Sequence, residues 1–203
     1  MTFKAAGISA LLIDDGLQLD KMLVTAKYRD FVPFVGRILT IESLAEEILD
    51  QNYDYDVKVV GLKSIAAYRG GLDINTNVTT KEVEEGLAEV LLAANPVRIT
   101  NKNLVDYIFM RSLEAAVSFD WPMLIHTGFG DKDLDLRQAN PLHLHNVLED
   151  PRFLDCRIVL LHASYPFSKE ASYLASVYHQ VKFGDLKQQF SNTNADIKVI
   201  NSS

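Results

Sequence analysis

Met123-Leu124-Ile125-His126-Thr127-Gly128 and Val159-Leu160-Leu161-His162-Ala163-Ser164 repeat one local plan, in which an apolar strand delivers a histidine at its last position before small residues turn the chain. Strands that are apolar on both faces belong to sheets covered on both sides. Ile8 to Ile13, ending in Asp14-Asp15-Gly16, and Val57 to Ile65 are runs of the same kind. Amphipathic helices separate them. Ile41, Leu44, Ala45, Ile48 and Leu49 fall at offsets 0, 3, 4, 7 and 8, on one helical stripe. Thr79 with Glu82 forms a capping box ahead of Val83, Leu87, Val90, Leu91 and Ala94, and Asn95-Pro96 stops that helix. Val105, Ile108, Phe109, Leu113, Ala116 and Val117 give another stripe, and Leu174, Val177 and Tyr178 a shorter one. Strand and helix alternate, which implies parallel pairing with right-handed crossovers, in either a (β/α) barrel or a doubly wound sheet.

The chain has 203 residues, enough for one domain or two small ones, since domains run to roughly 100 to 200 residues. A composition of 48% hydrophobic and 23% charged residues is that of a globular protein and excludes disorder, collagen and coiled coil. The formal charge of −7 argues against nucleic acid, which requires a cationic surface. A single cysteine, Cys156, cannot form an internal disulfide. Lys4 followed by Ala5 to Ile13 imitates a short signal peptide, but Gly7 and Ser9 dilute the run and Asp14-Asp15 ends it, so the segment reads as a strand. No apolar stretch approaches the roughly 20 residues that cross a bilayer, so no membrane partner and a cytoplasmic location are expected.

A complete eight-fold barrel takes about 250 residues, and only five or six strand-helix units are legible here. Lys182 to Ser203 is polar, with Gln188-Gln189 and Ser191-Asn192-Thr193-Asn194. The expected division is a partial barrel domain over 1–181 and a divergent polar tail over 182–203.

In parallel α/β folds the ligand site lies at the carboxyl ends of the strands. His126 and His162 there can bind a metal or carry a proton. Lys63, ending Val57-Lys58-Val59-Val60-Gly61-Leu62-Lys63, puts an ammonium at the matching level of an earlier strand, where burial without a partner is costly. Arg69, just beyond, can clamp an anionic small-molecule substrate bidentately. Other motifs are decoys. His143-Leu144-His145 follows Pro141 at a helix start, and residues two apart point to different sides. Asp131, Asp133 and Asp135 imitate a calcium loop, but Leu136 and Leu142 occupy its glycine and closing glutamate positions. Gly128 and Gly130 do not complete a dinucleotide fingerprint, because Asp133 stands at the third glycine's place. Cys156 has no reason to be ionised, and His179 has no assignable role.

Gly61-Leu62-Lys63-Ser64-Ile65-Ala66-Ala67-Tyr68-Arg69, the stretch from Ile125-His126-Thr127-Gly128-Phe129-Gly130 through Arg137, and Leu160-Leu161-His162-Ala163-Ser164-Tyr165-Pro166 closely resemble the amidohydrolase-like domain of plant nodulin and glutamine synthetase fusion proteins. Ile8 to Gly16 and Phe31 to Leu49 match as well. The resemblance implies an incomplete (β/α)8 TIM barrel of the metal-dependent hydrolase type, using zinc or manganese to activate water against a C–N or related bond. It implies that His126 ligates metal from the fifth strand, that His162 on the sixth assists metal or proton transfer, and that Lys63 stands at the fourth-strand position, which in some relatives is a modified, metal-bridging lysine. It also implies a first-strand His-x-His pair, an eighth-strand Asp and a helical stretch between about Asp50 and Asp56 that this sequence lacks, and a glutamine synthetase-like domain as partner in full-length proteins.

A catalytic zinc site takes three protein ligands and an open water position. With His126 as the assigned ligand, and His162 and Lys63 as helpers, the expectation is weak metal binding and no activity for this chain alone. Missing strands leave sheet edges and apolar faces open, so a chain that is either marginally stable or a homo-oligomer is expected. The alternative function is a non-catalytic assembly module serving the synthetase-like partner.

Overall fold

The computed structural model describes residues 8–14, 28–50, 58–93, 96–183 and 196–201. Asp15, Gly16, Ala94, Asn95, the 51–57 stretch and the polar runs at 188–189 and 191–194 lie outside them. Seven parallel strands make one sheet: β1 (Ile8–Asp14), β2 (Phe34–Thr40), β3 (Val59–Ser64), β4 (Pro122–Ile125), β5 (Arg157–Leu160), β6 (Val181–Phe183) and β7 (Asp196–Asn201), in the spatial order β6-β5-β4-β3-β2-β1-β7. β1 through β6 lie side by side in chain order. A doubly wound sheet reverses its order at a switch point, and none occurs here. The final strand instead pairs with the first, in register from Leu11 with Lys198 to Asp14 with Asn201, as the last strand of a barrel does. The architecture is therefore an incomplete (β/α)8 barrel, in which no pairing among the described residues joins β6 to β7.

Strand alternation divides the core into two layers. Met123, Ile125, Ile158 and Leu160 point outward into one apolar cluster with Leu104, Phe109 and Leu113 of the covering helix α4 (Lys102–Ser118). Leu12, Ile38, Leu124 and Val159 point the other way and pack on one another as a barrel interior. Continuing the alternation two residues beyond Leu12, Ile38 and Leu124 brings Asp14, Thr40 and His126 to the carboxyl-end rim of that interior face. Lys63 joins them through its register with Thr40 on one side and Leu124 on the other.

The capping box forms in α3 (Thr80–Ala93): Glu82 N–H donates to Thr79 Oγ1 at 3.3 Å and Thr79 N–H donates to the Glu82 carboxylate at 2.8 Å. The first helix, α1 (Ile41–Leu49), packs Ile41, Leu44, Ala45 and Leu49 of its expected stripe against the core. Ile48 is 52% exposed, whereas Glu42 is 1% exposed. Glu42 is buried because it closes the end of β3, accepting from Ser64 Oγ at 2.6 Å and Ile65 N–H at 3.1 Å. Within the polar tail read over 182–203 lie part of β6 and all of β7. The β-branched residues Ile197, Val199 and Ile200 supply the β propensity.

Candidate active site

The two histidines do not end their strands as the apolar runs suggest. His126 follows β4 by one residue, and His162 lies in a 3₁₀ turn two residues past β5. That turn has φ of 58°, 49° and 50° at His162, Ala163 and Ser164, a left-handed backbone that costs an L-residue roughly 1–2 kcal/mol. The curl is held by a hydroxyl pair. Thr127 Oγ1 donates to Leu161 O at 2.9 Å, so the 2.7 Å contact with Ser164 Oγ has the serine donating. Gly128, at φ 75°, donates its N–H to Ala139 O at 2.9 Å, and Phe129 N–H donates to Tyr165 O at 2.6 Å. A side chain on Gly128 would run into the carbonyl groups of Ser164 and Tyr165. The loops after β4 and β5 are thus bolted together, and their two imidazoles meet.

His126 Nε2 lies 3.1 Å from Phe129 O, a group that only accepts, so this nitrogen carries the hydrogen. Neutral His126 is then an acceptor at Nδ1, and His162 Nε2, 3.1 Å away, donates to it. His162 is left with its lone pair at Nδ1, which no described residue engages. Burial, then the charges of His162 and Lys63, push the His126 imidazole down to about 4. His162 is shifted down as well, first by burial and then by Lys63. Tyr68 packs edge-on against His126 with ring centroids 4.7 Å apart, and Phe129 flanks His162.

Lys63 is 8% exposed and does not reach solvent. Its ammonium pairs with the Asp14 carboxylate, itself 2% exposed, and Thr40 Oγ1 stands 3.4 Å from the other carboxylate oxygen. Asp14 is the site residue that sequence reasoning missed. Its signal was its place at the end of an apolar run, level with Lys63, where it was read only as a terminator. Arg69 closes α2 (Ala66–Arg69) and donates through Nη2 to Glu46 at 3.1 Å. Lys63, Arg69, His126 and His162 all line one cavity of 570 Å³ at the carboxyl ends of the strands, a size suited to a small molecule.

The histidines of His143-Leu144-His145 are not among its lining. His143 Nε2 donates to Arg137 O at 3.0 Å, while His145 Nδ1 faces the Tyr178 hydroxyl at 2.9 Å, so the pair diverges. Asp135 Oδ1 caps a 3₁₀ turn by accepting from Arg137 N–H at 3.0 Å. Asp131 and Asp133 line the cavity. Among the described residues no three His, Cys, Asp or Glu side chains converge on a point that could hold a metal. Both nitrogens of His126 are engaged, and two imidazoles fall short of the three protein ligands of a catalytic zinc site. The described residues alone do not fit a bound metal, so the chemistry open to them is that of imidazole, ammonium and guanidinium groups.

The family model for amidohydrolases matches residues 71–188, more than half of the 203. The chain belongs to the amidohydrolase family. Among solved structures, this amidohydrolase chain resembles a protein from Lactobacillus casei assigned as a metal-dependent hydrolase, with a TM-score of 0.76 and 30% identity over 89% of this chain and 52% of that one. Among curated proteins it is 33% identical over 150 residues to the protein fluG of Emericella nidulans, covering 70% of this chain and 17% of fluG. The chain thus spans about half of the bacterial hydrolase and a small part of the fungal protein. No described helix is long and apolar enough to cross a membrane.

Proposed function

We propose that this amidohydrolase chain carries part of a metal-dependent hydrolase barrel acting on a C–N or related bond of a small molecule, and that it is inactive until further strands complete the rim. The observation that carries the reading is the contact of His126 and His162 over a cavity at the strands' carboxyl ends. The sequence resemblance implies a divalent ion, zinc or manganese, in the intact domain, and since the described residues do not by themselves form its site, ligands would have to come from elsewhere in a completed domain. Within the chain, His162 Nδ1 is the basic nitrogen suited to take or return a proton. His126 orients it through the Nδ1 acceptor. Lys63, fixed by Asp14, presents positive charge to a polarised carbonyl.

The small share of fluG that is covered supports a role inside a longer polypeptide. The sequence resemblance to nodulin and glutamine synthetase fusions supports the same view, with a synthetase-like domain as neighbour. Amide hydrolysis with added zinc or manganese is the test, measured for a longer polypeptide that supplies the remaining strands. Activity should appear there, be absent from the 203-residue chain, and disappear in His126→Ala and His162→Ala. If both variants keep full function with assembly intact, the domain is a non-catalytic assembly module and the hydrolase reading fails.

A further inference from the structure

Arg69 has a side chain only 4% exposed, yet Nε and Nη1 of its guanidinium have no hydrogen-bond partner. Buried guanidinium donors left without acceptors are costly, because each forfeits its hydration. Arg69 lines the cavity, and so does Arg98. One carboxylate organises both segments: Glu46 of α1 binds Arg69 Nη2 at 3.0–3.1 Å and accepts from the N–H of Ile99, next to Arg98, at 2.8 Å. The other nearby acid, Glu42, is engaged by Ser64 and Ile65. The charge of Arg98 acts on Arg69 as a like charge, behind the larger effects of burial and Glu46. An anion between the two guanidiniums would satisfy the vacant donors and relieve that repulsion.

We propose that the substrate carries a carboxylate group and that Arg69, with Arg98, binds it on the side of the cavity opened by α2. This rests on the hydrolase reading only in calling the ligand a substrate; the anion site itself stands on the arginines. Carboxylate is favoured over phosphate by charge density, since Asp131 and Asp133 line the same cavity and would oppose two charges on a single group more strongly than one. Glu46 is a positioning residue.

The test is an NMR titration of the 203-residue chain, in buffer with chelator, using succinate, its neutral analogue succinamide, and inorganic phosphate. Succinate should bind saturably, with an affinity that falls as salt rises. Succinamide should bind roughly 10-fold more weakly or not at all. Arg98→Ala, at an exposed position, and Arg69→Gln should each weaken succinate by roughly 10-fold. Should Arg69→Gln fail to fold, Arg98→Ala and Arg69→Lys carry the test. Equal binding of succinamide, tighter binding of phosphate, or unchanged affinity in folded variants would overturn the proposal. None of these outcomes depends on turnover. A failed anion site therefore leaves the histidine chemistry standing, and a failed hydrolase assay leaves the anion site standing.

Discussion

His126 is neutral at neutral pH, so its Nε2 donates to the Phe129 carbonyl and His162 Nε2 donates to His126 Nδ1 across 3.1 Å. The folded state thus holds His126 down to about 4, below its ordinary 6.5, mainly through burial. Unfolded chains bind that proton more readily. Stability from this source is therefore fully present above pH 6.5, declines below it and is lost by about pH 4; in total it amounts to roughly 3 kcal/mol. Urea unfolding of the metal-free protein between neutral pH and pH 4 should show that decline, and His126→Leu should flatten it. An unchanged pH slope in the variant would mean that other groups carry the acid sensitivity.

Removing one partner of a buried ion pair leaves the other charge stranded, typically at about 3–5 kcal/mol. Lys63→Met should destabilise the protein by that order, because Asp14 remains 2% exposed without its ammonium. Lys63→Met combined with Asp14→Leu should recover much of the loss, giving a strong coupling in a denaturation double-mutant cycle. The lysine charge also lowers both imidazoles. In Lys63→Met the histidine titrations followed by NMR should therefore move upward.

Gly128 sets the distance between the two histidine loops. Alanine there must adopt φ 75° and push its methyl group against the Ser164 and Tyr165 carbonyls, a combined cost of about 2–4 kcal/mol. Gly128→Ala should lower the thermal midpoint and break the His126–His162 hydrogen bond, seen as loss of the donor's slowed proton exchange by NMR. A stable variant with an intact imidazole contact would show that the loop can relax elsewhere.

Apolar runs and helical stripes made β1, β3, β4, β5, α1 and α3 legible, because each encodes its own period within a few residues. The barrel order was not, since strand–helix alternation is shared with doubly wound sheets; the unbroken succession β1 to β6 decides it. His126 and His162 were readable from their strands, but their meeting depends on the left-handed backbone at 162–164, which no period announces. The Asp14–Lys63 pair spans 49 positions, beyond any local pattern. The roles of Glu42 and Glu46 on α1 were hidden for the same reason, since their partners lie at the end of β3 and beside Arg98.

Cys156 lies just ahead of β5 and is 1% exposed, and burial pushes its thiol up to about 12. The thiolate is the reactive species, so at neutral pH the native protein should scarcely react with a disulfide reagent such as Ellman's. Its labelling rate should follow opening of the structure, rising steeply across the urea transition and matching the equilibrium fraction unfolded when opening is fast. Arg157, the next residue, acts to lower the thiol's pKa, but burial outweighs it. Arg157→Ala should therefore leave native labelling slow. Fast labelling of the folded wild-type chain would place Cys156 at a site that opens independently of the sheet.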